Sequence, residues 1–128
     1  MERRGSLAED KGLTWYPIVG PLPPVGEMQR RTMQGHDFVI ARSVDGYTAF
    51  NAACPHASAA LVEGDLRSHY VICPLHNYRF ALADGRCLKP KDGPRLRLYQ
   101  VNVRDGQLWV GLPSRGGEAG GARAAEGL

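Results

Sequence analysis

Four two-residue turn signals divide the middle of the chain: Gln34-Gly35, Asp45-Gly46, Asp84-Gly85 and Asp105-Gly106. Glycine at such a step takes up positive φ at no steric cost, and Asp-Gly between apolar runs favours a tight hairpin. The runs between them are short and rich in β-branched and aromatic residues, at 15–19, 37–42, 47–51, 69–72, 78–82, 95–103 and 107–112. No window carries a helical period, and the GPLPPVG stretch at 20–26 forbids a helix early on. Short strands at regular spacing predict an all-β chain, folded as a sandwich or small barrel.

Both ends differ from this middle. Residues 1–12 are polar, and residues 113–128 hold five of the chain's 16 glycines with almost nothing to bury. Both are expected to be flexible segments flanking one domain at 13–112. Each end is charge-balanced, so the whole net charge of +3 falls on the middle. About 100 residues suffice for one modest core, which a metal would help to hold. No apolar run approaches the roughly 18 residues of a membrane span, and no apolar stretch follows Arg3 and Arg4 as a secretory signal requires. Three Cys are too few for a disulfide framework, so the expected compartment is the cytoplasm, where thiols stay free or bind metal.

Two Cys and two His stand in a paired pattern. Cys54-Pro55-His56 is followed, after sixteen residues, by Cys73-Pro74-Leu75-His76. Each half offers one thiolate and one imidazole, and each holds a proline that stiffens its loop. Mixed thiolate and imidazole suits zinc or an iron–sulfur cluster. A structural zinc finger pairs like with like, Cys with Cys and His with His, and fits this order poorly. Two Cys on one iron and two His on the other is the arrangement of a Rieske 2Fe-2S centre.

These loops, with CPHASAALVEGDL, CPLHNYRFALADGRC and the closing RLYQVNVRDGQLWVGL around them, resemble a Rieske ferredoxin domain over about 100 residues. The resemblance implies a Rieske-type fold of stacked antiparallel sheets, three in number, with a small cluster-binding subdomain at about 52–92 inserted in the larger β core. It implies one 2Fe-2S cluster, with Cys54 and Cys73 on the inner iron and His56 and His76 on the outer iron. High-potential members of the family bridge their two loops by a disulfide. The matching positions here are Ala59 and Leu75, so no bridge can form. Those members also set a Ser and a Tyr hydroxyl near the cluster, where this chain has Tyr78 and Phe80. Fewer donors to the sulfurs imply a potential in the lower part of the Rieske range. Many members have Gly after the second His. Asn77 stands there, and Asn is among the residues that best tolerate left-handed φ.

The remaining candidates read more plainly. Cys87 is a small residue at a strand end, and His36 and His69 are surface or strand-edge histidines. The segment 89–94 (KPKDGP) resembles the family's proline loop over the cluster. Arg86, Lys89, Lys91, Arg95 and Arg97 against Asp92 form a basic stretch, a solvated face or a means of steering toward an acidic redox partner. Trp15, Tyr16, Tyr99 and Trp109 are expected to be packing aromatics. Nucleic acid and membrane are not expected partners.

A Rieske domain alone carries electrons and is not an enzyme. The expected role is a stand-alone ferredoxin between a flavin- or iron–sulfur-dependent reductase and a terminal oxygenase or other oxidoreductase. The alternative is the small subunit of an assimilatory NAD(P)H nitrite reductase, with that enzyme's large subunit as partner. Trp15-Tyr16-Pro17 resembles oxygenase N-termini, but 128 residues leave no length for the second, 2-His-1-carboxylate iron domain an oxygenase needs.

Overall fold

The computed structural model describes residues 12–113. The segments expected to be flexible, 1–12 and 113–128, lie outside these residues except for Gly12 and Pro113. Ten strands follow in order: β1 (Leu13–Pro17), β2 (Met28–Met33), β3 (His36–Ser43), β4 (Gly46–Asn51), β5 (Asp65–Leu66), β6 (Tyr70–Ile72), β7 (Arg79–Ala81), β8 (Cys87–Lys89), β9 (Leu98–Arg104) and β10 (Gln107–Pro113). A 3-10 turn at Leu61–Glu63 precedes β5. Among the described residues no helix is long and apolar enough to cross a membrane.

All pairings are antiparallel. A six-stranded sheet runs β1-β10-β9-β4-β3-β2, and a four-stranded sheet runs β5-β6-β7-β8. The small sheet occupies the chain between β4 and β9, which makes it an insertion in the larger one. The expected three sheets are present, two of them joined into the six-stranded sheet because β9 serves both. Its first residues, Leu98 and Tyr99, pair with β4, and residues from Gln100 to Arg104 pair with β10.

The turn chemistry builds the hairpins. Gln34-Gly35 (φ 51° and 79°) and Asp105-Gly106 (φ 53° and 77°) place both central residues at positive φ, the condition for a two-residue turn that matches strand twist. Asp45-Gly46 works differently. Ser43 pairs with Gly46, so Val44 and Asp45 form the turn and Gly46 closes it. Asp84-Gly85 makes no two-residue hairpin. Gly85 lies so close to the Leu96 carbonyl that an added Cβ would sit 2.0 Å from its oxygen.

Strand β2 went unread in the sequence because its residues, MQRRTM, lack an apolar alternation. It needs none, being the outer strand of the sheet, and its charges discourage further pairing there.

Two buried clusters form the core, and β3 contributes to both. Phe38 and Ile40 join Ile18, Ala49, Tyr99, Leu108, Val110 and Leu112. Val39 and Ala41 join Phe50, Leu61, Val71, Phe80, Leu82, Leu96 and all three cysteines. Successive strand residues point to opposite faces, so β3 is covered on both sides. Phe38, Val39, Ile40 and Ala41 are accordingly all fully buried. Of the four aromatics expected to pack, Tyr99 is buried and Trp15, Tyr16 and Trp109 are half-buried.

Candidate metal centre

Loop one leaves β4 and returns to the 3-10 turn. Its neck is closed by an Ala53–Ala60 bridge and by the Cys54 N–H donating to the Ala59 carbonyl at 2.8 Å. Below the neck, the Ala52 N–H donates to the Asp37 carbonyl and the Leu61 N–H to the Ala52 carbonyl. Inside the loop, the Ser58 N–H donates to the Cys54 carbonyl at 2.7 Å.

Loop two joins β6 to β7. The Cys73 N–H donates to the Tyr78 carbonyl at 2.7 Å and closes it. The reversal falls on two consecutive left-handed residues, His76 (φ 69°) and Asn77 (φ 59°). The sequence pointed to Asn77 as a residue able to hold left-handed φ. His76 adopts it as well, a second uncommon conformation in a residue type that tolerates it better than most.

The two loops meet because the chain between them is held close. At Gly64, an added Cβ would lie 1.9 Å from the Ile72 carbonyl oxygen and 3.2 Å from Pro74 Cδ. Glycine is therefore required where the end of loop one crosses the start of loop two. Nothing in the sequence marked Gly64, since the contact is made across the sheet and not along the chain.

At this junction the predicted ligands meet in two pairs, Cys54 with Cys73 and His56 with His76. Cys54 and Cys73 are buried in the core cluster, while His56 is half-buried and His76 exposed. His56 Nε2 and His76 Nδ1 are 3.4 Å apart, and the ring centroids are 5.0 Å apart. Tyr78 stacks on His56 with centroids 3.8 Å apart and ring planes at 15°. The sequence had marked Tyr78 only for its hydroxyl, and its ring is what contacts the site. The Leu75 N–H donates to Cys73 Sγ at 3.4 Å. Burial pushes the Cys73 thiol up, the Leu75 N–H pulls it down, and the neighbouring Cys54 pushes it up again.

This donor set suits a binuclear centre. Two thiols and two imidazoles offer a like pair of ligands to each of two irons. His56 Nδ1 is buried without a hydrogen-bond partner. An orphaned imidazole nitrogen beside two buried thiols leaves polar groups that an electrophilic metal centre would satisfy.

The other candidates lie elsewhere. The His36 ring packs edge-on against Tyr99, with centroids 5.9 Å apart. Exposed His69 meets the Asp45 carboxylate at 2.7 Å. Cys87 is buried, and its thiol donates to the Pro90 carbonyl at 3.1 Å.

Residues 15–100 match the Rieske 2Fe-2S domain family, and the chain belongs to that family. It is 34% identical, over 95 residues, to the 3-phenylpropionate/cinnamic acid dioxygenase ferredoxin subunit of Escherichia coli, covering 73% of this chain and 90% of the relative. The solved ferredoxin of carbazole 1,9a-dioxygenase from Nocardioides aromaticivorans superposes with a TM-score of 0.63 at 26% identity, over 68% of this chain and 86% of that one. A putative NADH-dependent nitrite reductase small subunit from Mycobacterium tuberculosis shares the fold with a TM-score of 0.68 at 21% identity, over 80% of this chain and 98% of that one.

Proposed function

We propose that this chain is a Rieske-type ferredoxin. It takes single electrons from a flavin- or iron–sulfur-dependent reductase and passes them to a terminal oxygenase or other oxidoreductase, and catalyses no reaction itself. One observation carries the reading: the two loops pair Cys54 with Cys73 inside the core and His56 with an exposed His76. In this reading Cys54 and Cys73 hold the inner iron of one 2Fe-2S cluster, and His56 and His76 hold the outer iron. When bound, the cluster supplies a one-electron couple.

The chain's own residues do the rest. The dry core around Cys54 and Cys73 keeps water from the sulfurs. Tyr78 and the closed neck of loop one hold the His56 ring. Exposed His76 brings the centre to the surface, where a partner can approach. The ferredoxin relative at 34% identity favours a free carrier, whereas the likeness to a nitrite reductase small subunit concerns the fold alone. We take residues 13–112 as the domain, 52–92 as its cluster-binding part and the cytoplasm as its compartment, since all three cysteines are free.

The donors to sulfur support a low potential. Among the described residues one backbone N–H reaches a ligand sulfur and no hydroxyl does. The midpoint is expected nearer about −150 mV than +300 mV, and voltammetry giving a value well above zero overturns that point.

Anaerobic purification followed by iron and sulfide analysis and EPR of the reduced protein tests the whole reading. Two irons and two sulfides per chain are expected, with a Rieske signal that His76→Cys abolishes. A colourless zinc protein without sulfide overturns it.

A further inference from the structure

The small sheet has two edges of opposite character. At the β5 edge stand Glu63 and Asp65; Arg67 lies 3.9 Å from the Asp65 carboxylate, and Arg30, whose partner is Asp37, also feels the charge of Glu63. At the β8 edge stand Arg86, Lys89, Lys91 and Arg95, all exposed, against Asp84 and Asp92. Among the described residues none of these four cations is in an ion pair. Asp84 is engaged otherwise, its carboxylate accepting from the Arg86 N–H and its carbonyl from the Arg95 guanidinium. Arg86, Lys91 and Arg95 line one open groove of about 240 Å³.

This edge adjoins the metal-centre residues. Lys89 pairs with Arg79, the residue after Tyr78, whose ring lies on His56. Apart from their histidines, the ligand loops (53–60 and 73–78) carry no charged side chain, so the field at the tip is set by its flanks. Exposed charges act over a Debye length of about 8–10 Å, a distance the β8 edge spans.

The same edge offers apolar contact. The exposed leucines among the described residues are Leu75 and Leu88. Leu75 belongs to loop two. Leu88 is the extra residue of a β-bulge, since Arg79 faces Lys89 and Phe80 faces Cys87. A bulge re-aims side chains, which accounts for a leucine turned outward between a buried cysteine and a lysine. Apolar side chains ringed by unpaired cations form a surface suited to a partner of opposite charge.

We propose that the β8 edge, where Leu88 stands among Arg86, Lys89, Lys91 and Arg95, together with Leu75 of the adjoining loop two, docks a redox protein that presents carboxylates around its own centre. The proposal rests on the electron-carrier reading. The cations steer the approach, the leucines hold the encounter, and the β5 edge repels the same carboxylates and so fixes the orientation.

The test uses the reduced holoprotein, freed of reductant, in anaerobic stopped-flow oxidation. The probes are anionic ferricyanide and cationic tris(phenanthroline)cobalt(III). Each takes one electron, iron(III) or cobalt(III) becoming iron(II) or cobalt(II), and no other bond changes. In wild type, raising salt should slow ferricyanide and speed the cobalt complex. Lys91→Glu should slow ferricyanide about fivefold at low salt and speed the cobalt complex, with both effects lost at high salt. Arg104→Glu makes the same change in net charge at the far end of β9 and should alter either rate by less than about 1.5-fold. Equal effects from the two variants, or none from Lys91→Glu, overturn the proposal. If Lys91→Glu loses its visible circular dichroism, the Lys89→Gln/Lys91→Gln pair is read the same way. Sedimentation showing a dimer that both Lys91→Glu and Glu63→Lys disrupt would assign the surface to a second copy and also overturn it. Absence of a reducible cluster in wild type would instead overturn the carrier reading.

Discussion

The two ligand loops carry the same pair of donors and are built differently. Loop one is clamped at its neck by a bridge and backbone hydrogen bonds, and its histidine is half-buried under a stacked ring. Loop two has one more residue between Cys and His and reverses on two left-handed residues, with its histidine exposed. The spacing explains the contrast. The shorter C-x-H loop keeps its imidazole against the protein, while the longer C-x2-H loop turns sharply and carries its imidazole out. Both loops use a closing hydrogen bond and left-handed backbone, but loop one adds a bridge at its neck and loop two a second left-handed residue.

Breaking the junction between the loops should have the largest effect. Gly64→Ala puts a Cβ into the Ile72 carbonyl and should cost about 3 kcal/mol or more, seen as a lower urea midpoint and less iron retained on purification. Next comes the fastening of loop one. Tyr78→Leu removes the ring stacked on His56, an expected loss of about 1 kcal/mol in urea unfolding, with a faster rate of cluster bleaching. Loop two should respond in the opposite direction. Asn77→Gly keeps the left-handed turn without its steric cost and should raise stability by up to about 1 kcal/mol. An Asn77→Gly protein less stable than wild type would show that the Asn side chain itself holds the loop.

The smallest effect concerns the base of loop one. The Arg30 guanidinium holds the Asp37 carboxyl below its ordinary range, and the Asp37 carbonyl accepts from Ala52. A lowered folded-state value means that the stabilisation is present above the unfolded carboxylate range and is lost as pH falls through the lowered value. Asp37→Asn should therefore be slightly less stable than wild type at neutral pH, and the gap should close in strong acid. Thermal unfolding across pH measures this, and a gap that widens in acid would contradict the sign. The pair is exposed and salt will shrink its effect.

Much of this arrangement was legible in the sequence. Gln34-Gly35 and Asp105-Gly106 placed their hairpins because the positive φ they require is a local demand, whereas Asp84-Gly85 is set by a contact with Leu96 that the sequence does not show. The paired Cys and His of the two loops stood out because donor type and spacing follow from what a metal takes. Asn77 was legible for the same reason as the turns. Strand β2 was not, because an edge strand with arginines has no periodicity to read. Gly64, the Tyr78–His56 stack and the Leu88 bulge were not legible either, because each exists only once separate strands are in register. That two of the three sheets join where β9 changes partners was not legible, since no pattern within one strand announces it.

The small sheet leaves the large one at the end of β4 and rejoins it at the start of β9. These ends are adjacent. Tyr99 pairs with Ala49, Leu98 with Phe50, and the Asn51 N–H donates to the Arg97 carbonyl at 2.9 Å. The inserted unit thus departs and returns through a single doorway whose frame is already hydrogen-bonded. A loop of different length can be fitted within this segment without disturbing that register, provided Leu61, Val71, Phe80 and Leu82 still cover Val39, Ala41 and Phe50. The exposed loops of the insert are in this sense exchangeable, and a chain of this design can acquire a new partner surface there while the buried face beneath stays as it is.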